Sequence, residues 1–337
     1  MRLCLKKYAA AVAVCALLAA SVAARAVSCT TQAAMTPLER NTLAEAGGRL
    51  AMAVASQDLP ALKAALLPAV AADWEGISAD VQAGASLLKG GQMQLRNLYL
   101  LDASTLAAPA DTQFFCTSAS GALTVTLTMH ALPPGRYALV LTEAAGAPYA
   151  GQVGLMLAWE RNGLASGWRL GGLSIRPGAL DGHDGLWWWN HAREVVKDGQ
   201  PQQDSWPAWF SYETARKLLL PVDFLSSPNL EKLTSEQAAI ASSPQSALPL
   251  TLTEGDRNWK IDAVHLDLSM LHPDLAVVYE PTGVTDPAAV RTEATAVLTA
   301  LLKAQPGLRD SFHGLSAYSL KDGKQTPVLE LPMAQIP

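Results

Sequence analysis

The sequence lacks the signatures of the common catalytic and nucleotide-binding sites. It contains no Gly-x-Ser-x-Gly nucleophile elbow, no P-loop and no dinucleotide-binding glycine fingerprint. Basic residues are also in deficit, with 25 lysines and arginines against 30 aspartates and glutamates. An acidic chain is a poor partner for nucleic acid or for an anionic lipid surface. These absences favour a binding or structural protein over an enzyme.

Long apolar runs are missing beyond the N-terminus. A membrane-spanning helix needs about 20 apolar residues, and no stretch after the N-terminus provides them. The N-terminus itself has the layout of a secretory signal. Arg2, Lys6 and Lys7 precede an uncharged apolar run over residues 8–24, and small residues follow up to Ala26. We therefore expect cleavage after Ala26 and export to the periplasm or cell envelope, with no transmembrane segment in the mature chain.

The predicted cleavage makes the mature chain more acidic. Subtracting the four basic residues of the signal, the three above and Arg25, from 25 leaves 21 against 30 acidic residues, a net charge of −9. About 310 remaining residues exceed an ordinary single domain and suggest two or three units.

Cysteine is scarce, and two of the four cysteines lie within the signal. The remaining pair, Cys29 and Cys116, could form a disulfide in an oxidising compartment. Alternatively, residues 26–29 form a lipoprotein box with the lipid on Cys29, although Arg25 interrupts the apolar run before it. We favour a free chain, with Cys116 as a small buried hydrophobe rather than a disulfide partner. No adjacent histidine or basic group would activate Cys116 as a nucleophile.

The first segment, residues 36–177, opens with helices and continues as strands. Thr36, Pro37 and Glu39 form an N-terminal helix signature, and Gly47 and Gly48 within this helix indicate close packing against a sheet. Further helices are predicted at residues 58–67 and 78–88. Period-two patterns then predict strands at residues 94–101, 112–117, 122–130, 136–142, 152–160 and 167–175.

This layout resembles the cystatin-like and nuclear-transport-factor-2-like folds, on the motif Gly-Trp-Arg-Leu at residues 167–170 of the last strand. The resemblance implies a curled, cone-like antiparallel sheet with a pocket inside. The residue types there that could perform general acid-base catalysis are Tyr99, Asp102, His130 and Tyr137. Their positions at strand ends and turns are more typical of ordinary edge residues, and Tyr99 belongs to an apolar alternation that is typical of a core. A small-molecule enzyme using this pocket is the alternative function.

The second segment, residues 178–243, is predicted to be a helical hairpin and is unusually aromatic. It holds five of the nine tryptophans: Trp187, Trp188, Trp189, Trp206 and Trp209. Three consecutive helical residues point about 100° apart, so Trp187, Trp188 and Trp189 cannot all face one partner. These side chains either cement the hairpin between its neighbours or form a surface that recognises a glycan, a peptide or a protein.

Two groups of histidines and carboxylates contain the residue types that can bind a metal. His183 lies near Asp181, Asp184 and His191, and a second group contains His265, Asp267 and His272. Neither spacing matches an established metal site, and turn or strand-surface positions explain both groups. We expect no metal and no cofactor.

The third segment, residues 247–337, follows a Ser/Pro-rich linker and is predicted to be a compact α+β domain. The whole chain is similar to an uncharacterised family of bacterial exported proteins. The motifs are Gly-His-Asp-Gly-Leu-Trp at residues 182–187, Ala-Trp-Phe at residues 208–210 and Leu-Leu-Pro-Val-Asp-Phe-Leu-Ser-Ser-Pro at residues 219–228. The resemblance implies an architecture and export, but no activity.

The sequence therefore predicts an α+β protein in three parts behind a signal at residues 1–26. N-terminal helices and a cone-like antiparallel sheet precede a central helical hairpin and a C-terminal β-rich α+β domain. The function expected of it is a non-enzymatic binding or assembly role in the periplasm or cell envelope.

Mass spectrometry of the natively purified mature protein tests the N-terminal prediction. We expect a chain that begins at Val27 without a lipid. A mass that includes acyl groups on Cys29 would favour the lipoprotein alternative, and a mass that retains residues 1–26 would contradict the signal.

Overall fold

The computed structural model describes residues 27–162, 165–198, 205–268 and 271–337, so the signal predicted at residues 1–26 lies outside the described residues. The chain has the α+β class that the sequence predicts. Its first part contains β1 (Ser28–Thr31), α1 (Pro37–Ala55), α2 (Leu59–Ala65), α3 (Trp74–Leu88), β2 (Gln92–Asp102), β3 (Ala110–Thr117), β4 (Thr124–Leu132), β5 (Arg136–Ala145), β6 (Gln152–Asn162) and β7 (Ala165–Arg176).

Short strands and helices then lead into a second β-rich region. The elements are β8 (Ala179–Leu180), β9 (His183–Asp184), α4 (Gly185–Asp198), α5 (Ser205–Leu219), β10 (Leu225–Ser226), α6 (Pro228–Ala238), α7 (Pro244–Ala247), β11 (Leu250–Glu254), β12 (Arg257–Asp267), β13 (Asp274–Tyr279), α8 (Pro287–Ala304), α9 (Leu308–Ser311), β14 (Gly314–Lys321) and β15 (Lys324–Pro332). No helix among the described residues is both long and apolar enough to cross a bilayer.

The start of α1 is fixed by the capping box that the sequence predicts. The backbone N–H of Glu39 donates to the Thr36 hydroxyl (3.3 Å), and the Glu39 carboxylate accepts from the Thr36 N–H (3.1 Å). Of the two glycines, only Gly47 packs as predicted, because a Cβ there would lie 2.6 Å from Val140. Gly48 faces open space, so that part of the prediction was wrong.

A five-stranded antiparallel sheet in the order β1-β2-β5-β6-β7 forms the centre of the first part. Its strands alternate between two buried faces. Leu98 and Val140 pack beneath α1–α3, whereas Tyr99 and Leu139 face the opposite way. This sheet is therefore covered on both sides, and its sequence reads as nearly continuous apolar runs.

The second face is covered by a separate three-stranded sheet, in the order β10-β4-β3. The sequence predicts one curled sheet containing all six strands, and this prediction was wrong. The buried residues Phe114, Cys116, Val125 and Leu127 turn one face of β3 and β4 onto the first sheet. These strands therefore pack face to face with the first sheet instead of continuing it.

Strands from outside residues 36–177 contribute to both sheets of the first part. The first sheet begins with β1 at Ser28, before the predicted start at Thr36, because β1 pairs with β2 along residues 99–102. The second sheet is completed by β10, which belongs to the segment predicted to be a separate hairpin, residues 178–243. The first part is thus built from two separate stretches of the chain.

The central helices pack as the predicted hairpin, with α6 added. Trp188, Trp189 and Ala192 of α4 meet Tyr212 and Ala215 of α5 in an apolar cluster that α6 completes. The opposite side of α5 contributes Trp206 and Phe210 to the core of the C-terminal region. One helix is therefore shared by two hydrophobic cores.

The C-terminal region is a five-stranded mixed sheet in the order β11-β12-β13-β14-β15. Its neighbours are antiparallel except for β13 and β14, which run parallel and are joined through α8. Leu275, Val277 and Leu315 pack against Val297 and Leu301 of α8. Residues 247–337 thus have the α+β composition that the sequence predicts.

A disulfide joins Cys29 of β1 to Cys116 of β3, with the Cα atoms 5.1 Å apart. Cys116 is buried, as expected, but it is not free, so the preference for an unpaired thiol was wrong. The physical reason is the folding of the second sheet onto the first, which brings β3 beside β1. A Cys29 sulfur in this bond is not free to carry a lipid, so the disulfide and the lipoprotein alternative exclude each other.

Removing this cross-link should destabilise the fold. The bond closes a loop with a sequence separation of 87, and restricting an unfolded chain by such a loop is worth about 4 kcal/mol. We expect the mature Cys29→Ala/Cys116→Ala variant to lose about that much free energy of unfolding in urea. Reductant should destabilise the wild type similarly and leave the variant unchanged. A wild type insensitive to reductant would contradict this expectation.

Candidate functional site

The four residues predicted to line a pocket in the first part have separate surroundings. Tyr99 and Tyr137 lie on the same sheet face and point towards the second sheet. Tyr99 is only 7% exposed, and burial raises the pKa of both phenols. The Tyr137 hydroxyl donates to the Pro133 carbonyl (2.8 Å). Apolar side chains of β3 and β4 occupy the space predicted to be a cavity.

The other two candidates lie apart from the tyrosines. Asp102 accepts hydrogen bonds from the Ser104 hydroxyl (2.6 Å) and N–H (2.9 Å), which lower its carboxyl pKa. His130 lies on β4 with its Nδ1 3.3 Å from Asp111, and both side chains are exposed. Tyr137, Asp102 and His130 thus bind the Pro133 carbonyl, Ser104 and Asp111 and not one another, so these residues give the enzyme alternative no support.

The tryptophans are mostly structural. Trp206, Trp188 and Trp189 are buried, and Trp209 packs half-buried against the C-terminal core. Trp187 is 39% exposed. As the helical geometry predicts, the three consecutive tryptophans face different surroundings, and most of the cluster cements the central helices to their neighbours.

Two histidine rings stack on the Trp187 indole. The His183 imidazole lies 3.6 Å from it between ring centroids, and the His191 imidazole lies 4.9 Å from it. These rings occupy part of the aromatic surface that a ligand would use. A sugar binds an aromatic ring through one of its faces. The glycan-binding form of the surface hypothesis therefore has little support from this residue.

A hydrogen-bonded ion pair ties the central helices together. Arg193 of α4 donates from Nε and Nη2 to the two Glu236 oxygens of α6 (2.8 and 2.9 Å). The Trp189 indole N–H donates to the same carboxylate (2.7 Å), and the Tyr212 hydroxyl does so from α5 (3.4 Å). Arg193 also lies over the Trp189 ring, 4.3 Å from its centroid.

This network perturbs two titrating groups. The hydrogen bonds from Arg193 and Trp189, opposed by burial, lower the pKa of Glu236 to about 2. Burial, with the charge of Glu236, raises the pKa of Tyr212 to about 12. Both shifts move these groups further from titration near neutral pH, so the clasp formed by Arg193, Glu236, Trp189 and Tyr212 keeps its charges there.

The histidine and carboxylate groups weighed as metal ligands are dispersed into other contacts. Asp184 accepts from the Trp187 N–H (2.8 Å) at the start of α4. Asp181 lies 2.6 Å from His272, whose ring stacks at 4.1 Å on His313. Across the described ranges, no three histidine, cysteine or carboxylate side chains are arranged to hold a metal.

A groove of about 720 Å³ lies along β7, at the junction of all three parts. Its floor is the last half of this strand, residues 172–176. One wall is the α3 surface around Asp80 and Ala83, and the other is formed by residues 222–224. Leu268 and Leu271 of the C-terminal region also line the groove.

Two glycines allow the walls to approach the sheet this closely. A Cβ at Gly84 would lie 2.6 Å from Ile175 of β7, so α3 packs directly on one face of the strand. A Cβ at Gly154 of β6 would lie 2.5 Å from Val222, so the second wall packs directly on the other face. The edge of β7 is left between the two walls.

That edge is only partly covered. Its first half is protected where the Leu67 N–H donates to the Leu170 carbonyl (2.8 Å) and Leu66 forms a parallel bridge with Leu170. Beyond Leu170, no other strand of the described chain pairs with this side of β7. The groove therefore exposes an open strand edge, the kind of feature that proteins usually protect.

The groove carries two carboxylates that are exposed to solvent, those of Asp223 and Asp80. Arg176 is mostly buried and donates to the Ser174 hydroxyl (3.1 Å), the Leu220 carbonyl (3.4 Å) and the Asp223 carboxylate (2.5 Å). The hydrogen bond from Arg176 lowers the pKa of Asp223, whose side chain is 80% exposed. Asp80 is exposed and forms no hydrogen bond or ion pair with the described chain.

Sequence reasoning did not single out these groove residues. The available signals were Gly84 within a helix and Gly154 within a strand, since a glycine inside a regular element indicates close approach of a neighbour. Nothing local showed that β7 would be an edge strand, because strand order is a property of the whole sheet.

No protein-family model, curated protein or solved structure matches the chain. The resemblances to exported proteins and to cystatin-like and nuclear-transport-factor-2-like folds therefore stay predictions.

Neutralising Glu236 tests the clasp. Its folded pKa is below its unfolded value of about 4.3, so its stabilisation is present at neutral pH and is lost as the pH falls through about 4 towards 2. We expect Glu236→Gln to lower the free energy of unfolding by about 2 kcal/mol at pH 7. The deficit should vanish in that acidic range. It is measured by urea titration at several pH values.

The exposed Glu45–Arg49 pair on α1 provides the matched control. Glu45→Gln should leave stability unchanged within error, because solvent-exposed pairs contribute little. Equal effects of the two substitutions, or a Glu236→Gln deficit that is independent of pH, would show that Glu236 is not the clasp described.

Proposed function

We propose that this protein is an exported, non-enzymatic binding protein of the periplasm or cell envelope, and that the groove along β7 is its ligand site. The groove carries the proposal. Ligand sites are typically concavities of about 300–1,000 Å³ at the junctions of structural units. This groove has such a volume and draws residues from the first part, the central segment and the C-terminal region.

Export is supported by two independent features. The N-terminal sequence has the basic, apolar and small-residue regions of a secretory signal. The Cys29–Cys116 disulfide suits an oxidising compartment, because such bonds are rare in the reducing cytosol.

Binding is favoured over catalysis by the chemistry of the groove. Ser174, a potential nucleophile, donates its hydroxyl proton to the Pro221 carbonyl (3.1 Å) and accepts from Arg176. No base is therefore placed to activate it. Asp223 is held ionised by Arg176, which makes it a poor general acid.

Blocking the groove tests the proposal. Ala83 is exposed on α3 and lines the groove, so Ala83→Trp should fill it without disturbing a core. We expect native mass spectrometry of the mature protein, purified from the envelope of its own cells, to show a bound ligand mass. Its occupancy should fall at least fivefold in Ala83→Trp, because the added side chain competes for the same volume.

Ala79→Trp is the matched control, since Ala79 is also exposed on α3 but does not line the groove. This variant should retain wild-type occupancy. A wild type without any bound mass, or equal occupancy in the two variants, would contradict the groove as the ligand site.

A further inference from the structure

We propose that the groove binds an extended peptide, which adds to β7 as a further strand of the five-stranded sheet and contributes basic side chains to the two walls. This inference rests on the proposed function and specifies its ligand class. It is drawn from three features of the groove: an open strand edge, two opposed walls and exposed carboxylates.

The open edge supplies the first step. Residues 172–176 pair with β6 on one side and with no strand of the described chain on the other. An edge strand presents backbone N–H and C=O groups in a fixed register, and an extended peptide satisfies them by forming a new ladder. Main-chain hydrogen bonds of this kind would recognise the peptide independently of its side chains.

The walls supply the second step, because they limit what can reach the edge. Ala83 and Leu87 rise on one side, and Val222 and Phe224 rise on the other. Helix α3 lies on one face of the sheet and residues 222–224 lie on the other, so the space between them beside β7 is one sheet layer thick and admits a single strand. A second copy of this chain would bring its own helix and its own residues 222–224, which would collide with these walls.

The side chains of a bound strand would enter the two walls alternately. Successive residues of a strand point to opposite faces, so one set would face α3 and the next would face residues 222–224. The apolar side chains of Leu87 and Phe224 suit aliphatic residues of the peptide. Selectivity for the sequence of the peptide would come from the charged side chains of the two walls.

The charges supply the third step. Asp80 lies on the α3 wall and Asp223 on the opposite wall, and both carboxylates are exposed. Among the described residues that line the groove, the one basic group is Arg176, which is mostly buried and hydrogen-bonded to Asp223. Arg216 and Lys217 also lie near enough to act on the Asp223 charge. A ligand therefore meets a carboxylate on the α3 wall that is unpaired within the described chain and an exposed, Arg176-paired carboxylate on the other, which favours lysine or arginine on the strand, above all opposite Asp80.

Fluorescence anisotropy with synthetic probes tests this inference. The probe is a labelled octapeptide of valine and threonine with two adjacent lysines at its centre. Matched probes replace both lysines with glutamine or with glutamate, and a fourth is N-methylated at every residue to remove its backbone donors. We expect the lysine probe to bind, the glutamine probe to bind roughly tenfold more weakly, and the other two to fail.

The wall carboxylates are tested separately in the mature protein. Asp80→Asn and Asp223→Asn should each weaken the lysine probe by roughly three- to tenfold, with little effect on the glutamine probe. Glu75→Gln, an exposed carboxylate on α3 outside the groove, is the matched control and should change nothing. Thermal unfolding verifies that Asp223→Asn, which releases Arg176, is still folded; Asp80 has no partner to lose within the described chain.

The outcomes separate this inference from the broader proposal. Equal binding of the lysine, glutamine and glutamate probes, or undiminished binding of the N-methylated probe, would overturn the basic strand. So would failure of every probe, even if a native ligand mass is still displaced by Ala83→Trp; the groove would then remain a ligand site of another class. If Ala83→Trp displaces nothing, the proposed function itself fails.

Discussion

The crossing of residues 220–224 over the first sheet is the constraint on which the rest of the structure depends. It is possible only because Gly154 has no side chain where Val222 packs. Arg176 and Gln152 then hold the chain in place through the carbonyls of Leu220 and Leu218. The crossing places β10 beside β4 of the second sheet and forms one wall of the groove. It also determines where α6, the next helix, begins.

The helix α5 carries this constraint onward to the C-terminal region. Its Trp206 and Phe210 are core residues of the mixed sheet, while Tyr212 belongs to the central helical cluster clasped by Glu236. A helix buried on opposite sides cannot shift without opening both cores. The three parts therefore form one packed body, and a groove at their junction has walls of fixed separation.

Local structure was largely predictable from the sequence, and its assembly was not. Thr36 and Glu39 predicted the start of α1, and period-two patterns predicted the strands. Both signals depend only on residues that are close in the sequence. The pairing of β10 with β4 and of Cys29 with Cys116 depends on residues far apart in the chain. The open edge of β7 also depends on such distant pairings, so the groove could not be predicted from local patterns. The tryptophans were conspicuous in the sequence, but they are mostly structural.

The late position of β10 in the chain has a consequence for folding order. If the chain crosses a membrane N-terminus first, β3 and β4 emerge before the strand that completes their sheet. The two cysteines both precede residue 177, so their bond can form while β10 is still on the other side. The disulfide would then affect the order of folding as well as the stability. It would hold β3 and β4 against the first sheet until β10 pairs with β4.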